Sequence, residues 1–116
     1  MTSFTLCLPF PISANRLWRK SRSVVHISQE YKSWKLEAEG WYVQQRKSTP
    51  RIPGNFTYHL TLDKTRRKVA RDGDNRCKCV LDFIQRMDLI EDDKLADSGT
   101  WEWGEADGCV ISVRAA

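Results

Sequence analysis

Asp72-Gly73-Asp74-Asn75-Arg76-Cys77-Lys78-Cys79-Val80-Leu81-Asp82, answered by Glu91-Asp92-Asp93, is the stretch on which the reading of this chain turns. Carboxylates crowded together repel and raise one another's pKa, so such crowding needs a compensating positive charge. Between the two acidic groups the residues from Asn75 to Met87 read as a helix. At about 1.5 Å per residue that helix is roughly 18–20 Å long. The connection after it must bend back if Asp93 is to reach Asp72 and Asp74. Where it does, three carboxylates converge, and a hard cation such as Mg²⁺ prefers that kind of oxygen cluster.

The helical phase agrees with this reading. Cys77, Val80, Leu81, Ile84 and Met87 follow i, i+3, i+4, i+7 spacing and form an apolar stripe. Asp74, Lys78 and Asp82 fall in an i, i+4, i+8 row along one edge of it. A lysine beside carboxylates can balance charge, hold a phosphate or protonate a leaving oxygen. A plainer reading uses the same residues. Asp72 and Asp74 suit turn and cap positions, Lys78 and Asp82 suit an exposed i, i+4 pair, and Glu91-Asp92-Asp93 suits a solvated loop. A calcium-binding loop starting at Asp72 is excluded, because its sixth position is Cys77 rather than Gly and its twelfth is Phe83 rather than Glu.

Upstream of Asp72 the chain is basic. Residues 1–71 carry 14 Lys/Arg against 4 Asp/Glu, and residues 72–116 carry 5 against 11, so a +10 half precedes a −6 half within a net charge of +4. A basic half suits a phosphate backbone. The acidic half would repel DNA unless cations sit in it. The length of 116 residues suits one domain with a modest core. No apolar run approaches the roughly 18 residues of a membrane helix, and no signal peptide is visible. Cys7, Cys77, Cys79 and Cys109 form neither a disulfide framework nor a zinc-site spacing. They read as free thiols of a reducing cytoplasm.

Phe4, Leu6, Leu8 and Phe10 alternate with polar or small residues and predict a first strand ended by Pro9 and Pro11. Ser13 to Arg22 reads as a loop of four cations and Trp18, suited to gripping phosphates with a ring on sugar or base, or to a surface loop whose Trp18 folds back. Val24–Ile27 is a short strand. Ser28 caps a helix running to about Gln45, with Tyr31, Trp34, Ala38 and Trp41 on its core face and Gly40 placed for close packing. Phe56, Tyr58, Leu60 and Leu62 mark a second clear strand, with His59 on its opposite face; His26 and His59 read as structural. Lys94 to Trp103 predicts a further strand with a bulge or bend at Gly99. Asp107-Gly108 predicts a hairpin turn into a last strand holding Cys109, Val110, Ile111 and Val113. The order is β-α-β-α-β-β, an α/β (α+β) fold with a small mixed sheet and two helices.

Asp72-x-Asp74-Asn75-x-x-Lys78-x-x-x-Asp82, with the acid pair ending in Asp93, resembles the RusA family of Holliday-junction resolvases, small nucleases of bacteria and their phages. Leu8-Pro9-Phe10-Pro11 with Asn15-Arg16 resembles that family's opening strand and loop, and Arg66-Arg67-Lys68 fits the basic approach to the acidic turn. The resemblance covers nearly the whole chain, residues 1–116, as one RusA-like endonuclease domain. It departs at Gly73, where the family pattern has an apolar residue; Gly there removes no ligand but loosens the loop.

The resemblance implies a Mg²⁺-dependent (or Mn²⁺-dependent) endodeoxyribonuclease that resolves four-way junctions by paired symmetric nicks, leaving 5′-phosphate and 3′-hydroxyl ends. The setting would be recombination, repair or phage DNA processing, in the cytoplasm of a bacterial or phage-infected cell. Asp72, Asp74 and Asp93 are then the expected metal ligands, and Lys78 joins them as a catalytic group. Asp82 is a supporting residue that orients Lys78. Asn15, Arg16, Lys68 and Arg71 are the expected phosphate contacts. A homodimer would match two cuts to the two-fold symmetry of the junction, with Trp101 and Trp103 available for an interface or for the core. Two other classes fit the residues alone. One is a non-catalytic branched-DNA-binding protein whose acids only cap and solvate. The other is a protein-interaction domain that merely resembles a nuclease.

Overall fold

Alternation decides the sheet. In the computed structural model, which describes residues 2–14, 17–21, 24–67 and 73–116, strand β1 (Ser3–Leu8) buries Phe4, Leu6 and Leu8 and exposes the residues between them. β4 (Phe56–Asp63) buries Phe56, Leu60 and Leu62, and β6 (Cys109–Ala115) buries Cys109, Ile111 and Val113. With β5 (Ala96–Gly104) these strands form one sheet in the order β1-β6-β4-β5. β6 runs antiparallel to both β1 and β4, whereas β4 and β5 are parallel. Parallel neighbours need a crossover, and helix α2 (Asp74–Arg86) supplies it. The predicted α+β architecture of a mixed sheet and two helices is the one observed.

Helix α1 (Gln29–Gln45) begins as expected, with the Ser28 hydroxyl accepting from the Tyr31 amide at 3.1 Å. It buries Tyr31, Trp34 and Ala38 against the same face of the sheet that α2 covers. The opposite face is polar. There His59 lies between Thr100 Oγ1 (2.6 Å) and Glu102 Oε1 (3.0 Å), on the side away from the apolar residues of its strand. Among the described residues no helix is long and apolar enough to cross a membrane.

Four local expectations are corrected. The span Ser13–Arg22 is not all loop: Trp18–Ser21 forms β2, paired antiparallel with β3 (Val24–Ile27) in a separate two-stranded ribbon. A ribbon outside the main sheet carries no alternating apolar pattern for the sequence to reveal. Asp107-Gly108 does not close a hairpin, since β5 and β6 lie on opposite sides of β4. The connection instead passes the end of β4, where the Gly108 carbonyl accepts from the Asp63 amide at 3.0 Å and Gly108 has a positive φ of 79°. The break in register lies at Phe56/Thr57 rather than at Gly99. Gly99 faces Tyr58, whose ring fills the space that a Cβ at 99 would take. Gly40 has no close-packing role, because a Cβ there would meet nothing within 4 Å.

Candidate active site

Helix α2 is amphipathic over a wider arc than the predicted stripe. Cys77, Cys79, Val80, Leu81, Phe83 and Ile84 are buried, and Met87 is half-buried. Outside that arc lie Asn75, Arg76 and Arg86 and, along one edge, a row at i, i+4, i+8 and i+11: Asp74, Lys78, Asp82 and Gln85. Gly73 occupies the cap position with a helical backbone and no capping side chain, so Asp74 is the first helical residue rather than the cap. Its exposed carboxylate sits in the first turn, where the helix dipole favours negative charge. It makes no hydrogen bond or ion pair among the described residues. Gly73 is buried because the Trp101 indole, from β5, lies where a side chain at 73 would project. An aromatic ring from the neighbouring strand thus fills the apolar position that the motif lacks.

The far end of α2 turns the chain back. The Leu89 amide donates to the Ile84 carbonyl (2.9 Å), the Asp88 amide donates to that of Gln85 (3.0 Å), and Asp88 has a φ of 60°. This is a Schellman ending, with buried Leu89 and Ile84 as its apolar contact. The returning strand segment is then clamped by residues 51–54. Ile52 donates to the Leu89 carbonyl at 2.8 Å, Gly54 donates to Glu91 Oε1 at 3.2 Å, and Arg51 pairs with Asp88 and Glu91. Asp92 Oδ1 accepts from the Lys94 amide at 2.9 Å, and that backbone hydrogen bond holds the Asp92 carboxyl below its ordinary range. Glu91 and Asp92 are therefore structural acids rather than a solvated run.

The reversal delivers Asp93 to the polar row. Its amide donates to Gln85 Oε1 at 2.9 Å, and its carboxylate accepts from Lys78 Nζ at 2.6 Å. The Asp93 side chain is only 17% exposed against 52% for Lys78, so the carboxylate is fixed and the ammonium tip is accessible. Lys78 stands one helical turn from Asp74 on the same edge. Asp82 does not bond to Lys78 among the described contacts. It accepts from the Tyr31 hydroxyl of α1 and from Arg86 Nε at 2.8 Å, tying the two helices together. Burial, with this bond to Asp82, pushes the Tyr31 hydroxyl well above its ordinary range.

Asp72, Asn15, Arg16, Lys68 and Arg71 lie outside the described residues, as do the side chains of Trp18 and His26. Among the described residues no cluster of three or more His, Cys, Asp or Glu side chains is gathered to hold a metal. Two of the three expected carboxylates are described, Asp74 and Asp93, and both are oxygen donors that suit a hard cation. The two tryptophans are largely core: Trp103 stacks on Phe10 (6.3 Å) and meets Trp101 edge-on (6.0 Å).

Two features escaped the sequence reading. Gln85 had a usable signal, since it continues the Asp74-Lys78-Asp82 row. Arg66 belonged to the predicted basic run, but its meeting with Arg76 had no signal, because only the fold brings them to one ring: their guanidinium carbons lie 4.6 and 4.7 Å from the Phe10 centroid. The four cysteines are free, as expected. Cys77, Cys79 and Cys109 are buried and burial raises all three thiols, Cys79 to about 12, while Cys7 is exposed.

A parallel β4-α2-β5 unit carries carboxylates and a lysine on one helix edge, and the family comparison puts the chain in the class of endodeoxyribonucleases. The family model of endodeoxyribonuclease RusA matches residues 9–114, and the chain belongs to that family. The RusA family is one of Holliday-junction endonucleases that bind branched DNA and usually work with a divalent metal. Comparison with curated proteins gives no match.

Proposed function

We propose that the chain acts over residues 1–116 as one Mg²⁺-dependent endonuclease domain that resolves four-way DNA junctions by paired symmetric nicks, as a homodimer. Recombination, repair and phage DNA processing are all settings that call for such cuts. The observation that carries the reading is the return of Asp93 to Lys78, which joins the second acidic group to the edge of α2 that bears Asp74.

Asp74 and Asp93, with Asp72, would hold the cation, for which Mn²⁺ is an alternative to Mg²⁺. When bound, the ion supplies a water-derived nucleophile at neutral pH and neutralises charge on the phosphodiester. Asp93 is suited to ligation because Gln85 and the turn after α2 fix its backbone, so little reorganisation is needed. In the absence of an ion Lys78 is its counter-charge. With DNA in place, the exposed Lys78 ammonium is free to move to a phosphate oxygen, where it stabilises the charge that grows in the transition state or protonates the 3′ leaving oxygen. The products would carry 5′-phosphate and 3′-hydroxyl ends. Asp82 supports the site by joining α2 to α1 through Tyr31, with Arg86 of its own helix as counter-charge. Asn15, Arg16, Lys68 and Arg71 are proposed phosphate contacts, which position the strand without reading its sequence.

The test mixes the protein with an end-labelled four-way junction, with and without Mg²⁺. Symmetric nicks that need the metal are expected. Asp93→Asn and Asp74→Asn should abolish them while binding is kept or tightened, because less negative charge faces the DNA. If Asp93→Asn cuts a bound junction at the unaltered rate, the proposed site is wrong and the chain acts by binding alone.

A further inference from the structure

We infer that the outer edge of β5 is the seam at which two copies of the chain join, with β5 pairing antiparallel to β5 of the second copy so that Thr100 faces Thr100. The inference rests on the homodimer reading above and gives it an interface.

A strand at a sheet edge presents unpaired N–H and C=O groups, and folded proteins usually shield them. The two edges of this sheet are treated differently. At β1 the Gln45 side chain stands in for a strand: its Oε1 accepts from the Cys7 amide and its Nε2 donates to the Cys7 carbonyl, both at 2.8 Å. β5 forms the opposite edge, and among the described residues no strand pairs with its outer side. With nine residues it is also the longest strand of the sheet. Lys, Arg and Pro, which commonly blunt an edge, do not occur in Ala96–Gly104. Its one irregularity is the extra residue Asp97 near its start, where Phe56 pairs with Ala96 and Thr57 with Ser98; from Ser98 to Gly104 the pairing with β4 is regular. Ser98, Gly99 and Thr100 are all exposed.

The groups along this edge select a strand as occupant, and symmetry selects this chain. Alternating main-chain donors and acceptors are satisfied in full by another strand. The edge carries Asp97 and Glu102 and no cation, which does not suit a DNA backbone. An antiparallel β5 pair is isologous, the same edge on both copies. A two-fold axis normal to the sheet keeps every side chain on its own face, so residues meet residues of like parity. With Thr100 on the axis, Gly99 faces Trp101 and Ser98 faces Glu102 of the second copy. The indole then comes beside the Tyr58 ring, which fills the side-chain space of Gly99, and no acid faces an acid. Moving the axis to Trp101 sets Asp97 against Glu105, and like charges opposite one another destabilise a pair. Moving it to Gly99 runs the pair into the Asp97 bulge. Trp101 and Trp103 are half-buried on the helix side of β5, level with Leu60 and Leu62 of β4, and aromatic residues are enriched at interfaces.

The seam also sets the geometry of two cuts. β5 follows directly on the short turn Asp93–Leu95 that holds the site's acid. In the paired strands the two Ala96 residues lie at opposite ends, about 27 Å apart along the seam at about 3.4 Å per residue. Because the axis is normal to the sheet, both α2 helices cover the same side of the joined sheet. Both acidic rows then lie on one side, within reach of one junction.

The experiment uses the full chain with Cys7→Ser, which removes its exposed thiol, and reads sedimentation equilibrium and non-reducing gels. This parent protein should be a dimer. Thr100 lies on the polar face of the sheet beside His59, away from α2, so its variants spare the site. Thr100→Cys should give a covalent dimer under mild oxidation, since directly opposed residues have Cα atoms about 4.5–5.5 Å apart, within disulfide range. Thr100→Lys and Thr100→Glu should each raise the dimer dissociation constant about tenfold or more, because like charges then meet on the axis, and the two proteins mixed should recover the dimer. Thr100→Cys keeps the side chain small, so it tests the seam even where a charged variant disturbs His59. No covalent dimer from Thr100→Cys, or an unchanged dissociation constant in both charged variants, would overturn the seam and show that another surface joins the copies. A parent protein that stays monomeric would overturn it together with the homodimer, leaving the edge to a different strand. Junction nicking with Mg²⁺ is scored separately: a cross-linked dimer that binds the junction and never nicks it counts against the endonuclease reading and leaves the seam standing.

Discussion

Replacing Gly73 by Ala tests whether Trp101 builds the acidic turn. Gly73 has a φ of −66° and a ψ of −45°, a backbone that any residue adopts, so the cost of a side chain there is steric alone. A Cβ at 73 would overlap the six-membered ring of Trp101, which packs edge-on against Trp103. Overpacking of this kind costs about 1–3 kcal/mol. Removing a glycine returns roughly 0.4–1 kcal/mol through the unfolded chain. The expected net loss is about 1–2 kcal/mol, or about 4–10 °C in Tm for a domain of this size. Urea unfolding followed by tryptophan fluorescence measures it. The deciding comparison is a double-mutant cycle: in a Trp101→Ala background the clash is gone, so Gly73→Ala should become neutral or stabilising, a coupling of about 1–2 kcal/mol. Junction cutting should fall in Gly73→Ala, because Asp74 follows directly, and recover in the double variant relative to Trp101→Ala. If Gly73→Ala costs the same in both backgrounds, the ring is not what occupies the position.

Gln85→Met keeps the volume and removes the hold on the Asp93 amide; it should cost about 1–2 kcal/mol of stability and lower the cutting rate at saturating junction and Mg²⁺, with junction binding in EDTA retained. Thiol titration of the folded protein should find one fast-reacting cysteine, Cys7, and four after denaturation, because burial raises the thiols of Cys77, Cys79 and Cys109 and withholds their thiolates. The Asp92 carboxyl is held below its ordinary value in the fold, so its contribution to stability is present above the unfolded-state carboxylate pKa and is lost as pH falls through the lower folded value; Asp92→Asn should flatten the acid limb of an unfolding-against-pH curve and leave the neutral limb nearly unmoved.

What the sequence revealed and what it hid follow from the range of the interactions concerned. Strands β1 and β4 and helix α1 were legible because burial on one face imposes period two or a cap-and-stripe pattern within a few residues. Ser28 and Phe4-Leu6-Leu8 carry that signal alone. The row Asp74-Lys78-Asp82 was legible for the same reason, since helical phase is local. Its partners were not. Lys78 chooses Asp93 over Asp82 because a turn fifteen residues away brings a fixed, shielded carboxylate to it, and Asp82 is taken by Tyr31 from another helix. The crossing of β5 and β6 around β4 is hidden in the same way. Asp107-Gly108 has the composition of a hairpin turn, but pairing is decided by which strand lies between, and that depends on the parallel β4-α2-β5 crossover.

Gly73 and Trp101 share one space at the start of α2. Gly73, just before α2, packs against Trp101 of β5, the strand that follows the helix. β5 supplies the bulk with an indole, and the helix start is left with glycine. The turn is then shaped by a ring that is itself braced by Trp103 and, through Trp103, by Phe10. Phe10 is the ring that gathers Arg66 and Arg76. One run of aromatic contacts, from Trp101 to Phe10, therefore connects Gly73 to the ring on which Arg66 and Arg76 lie. Side-chain packing thus ties Gly73 to Phe10 across the start of α2.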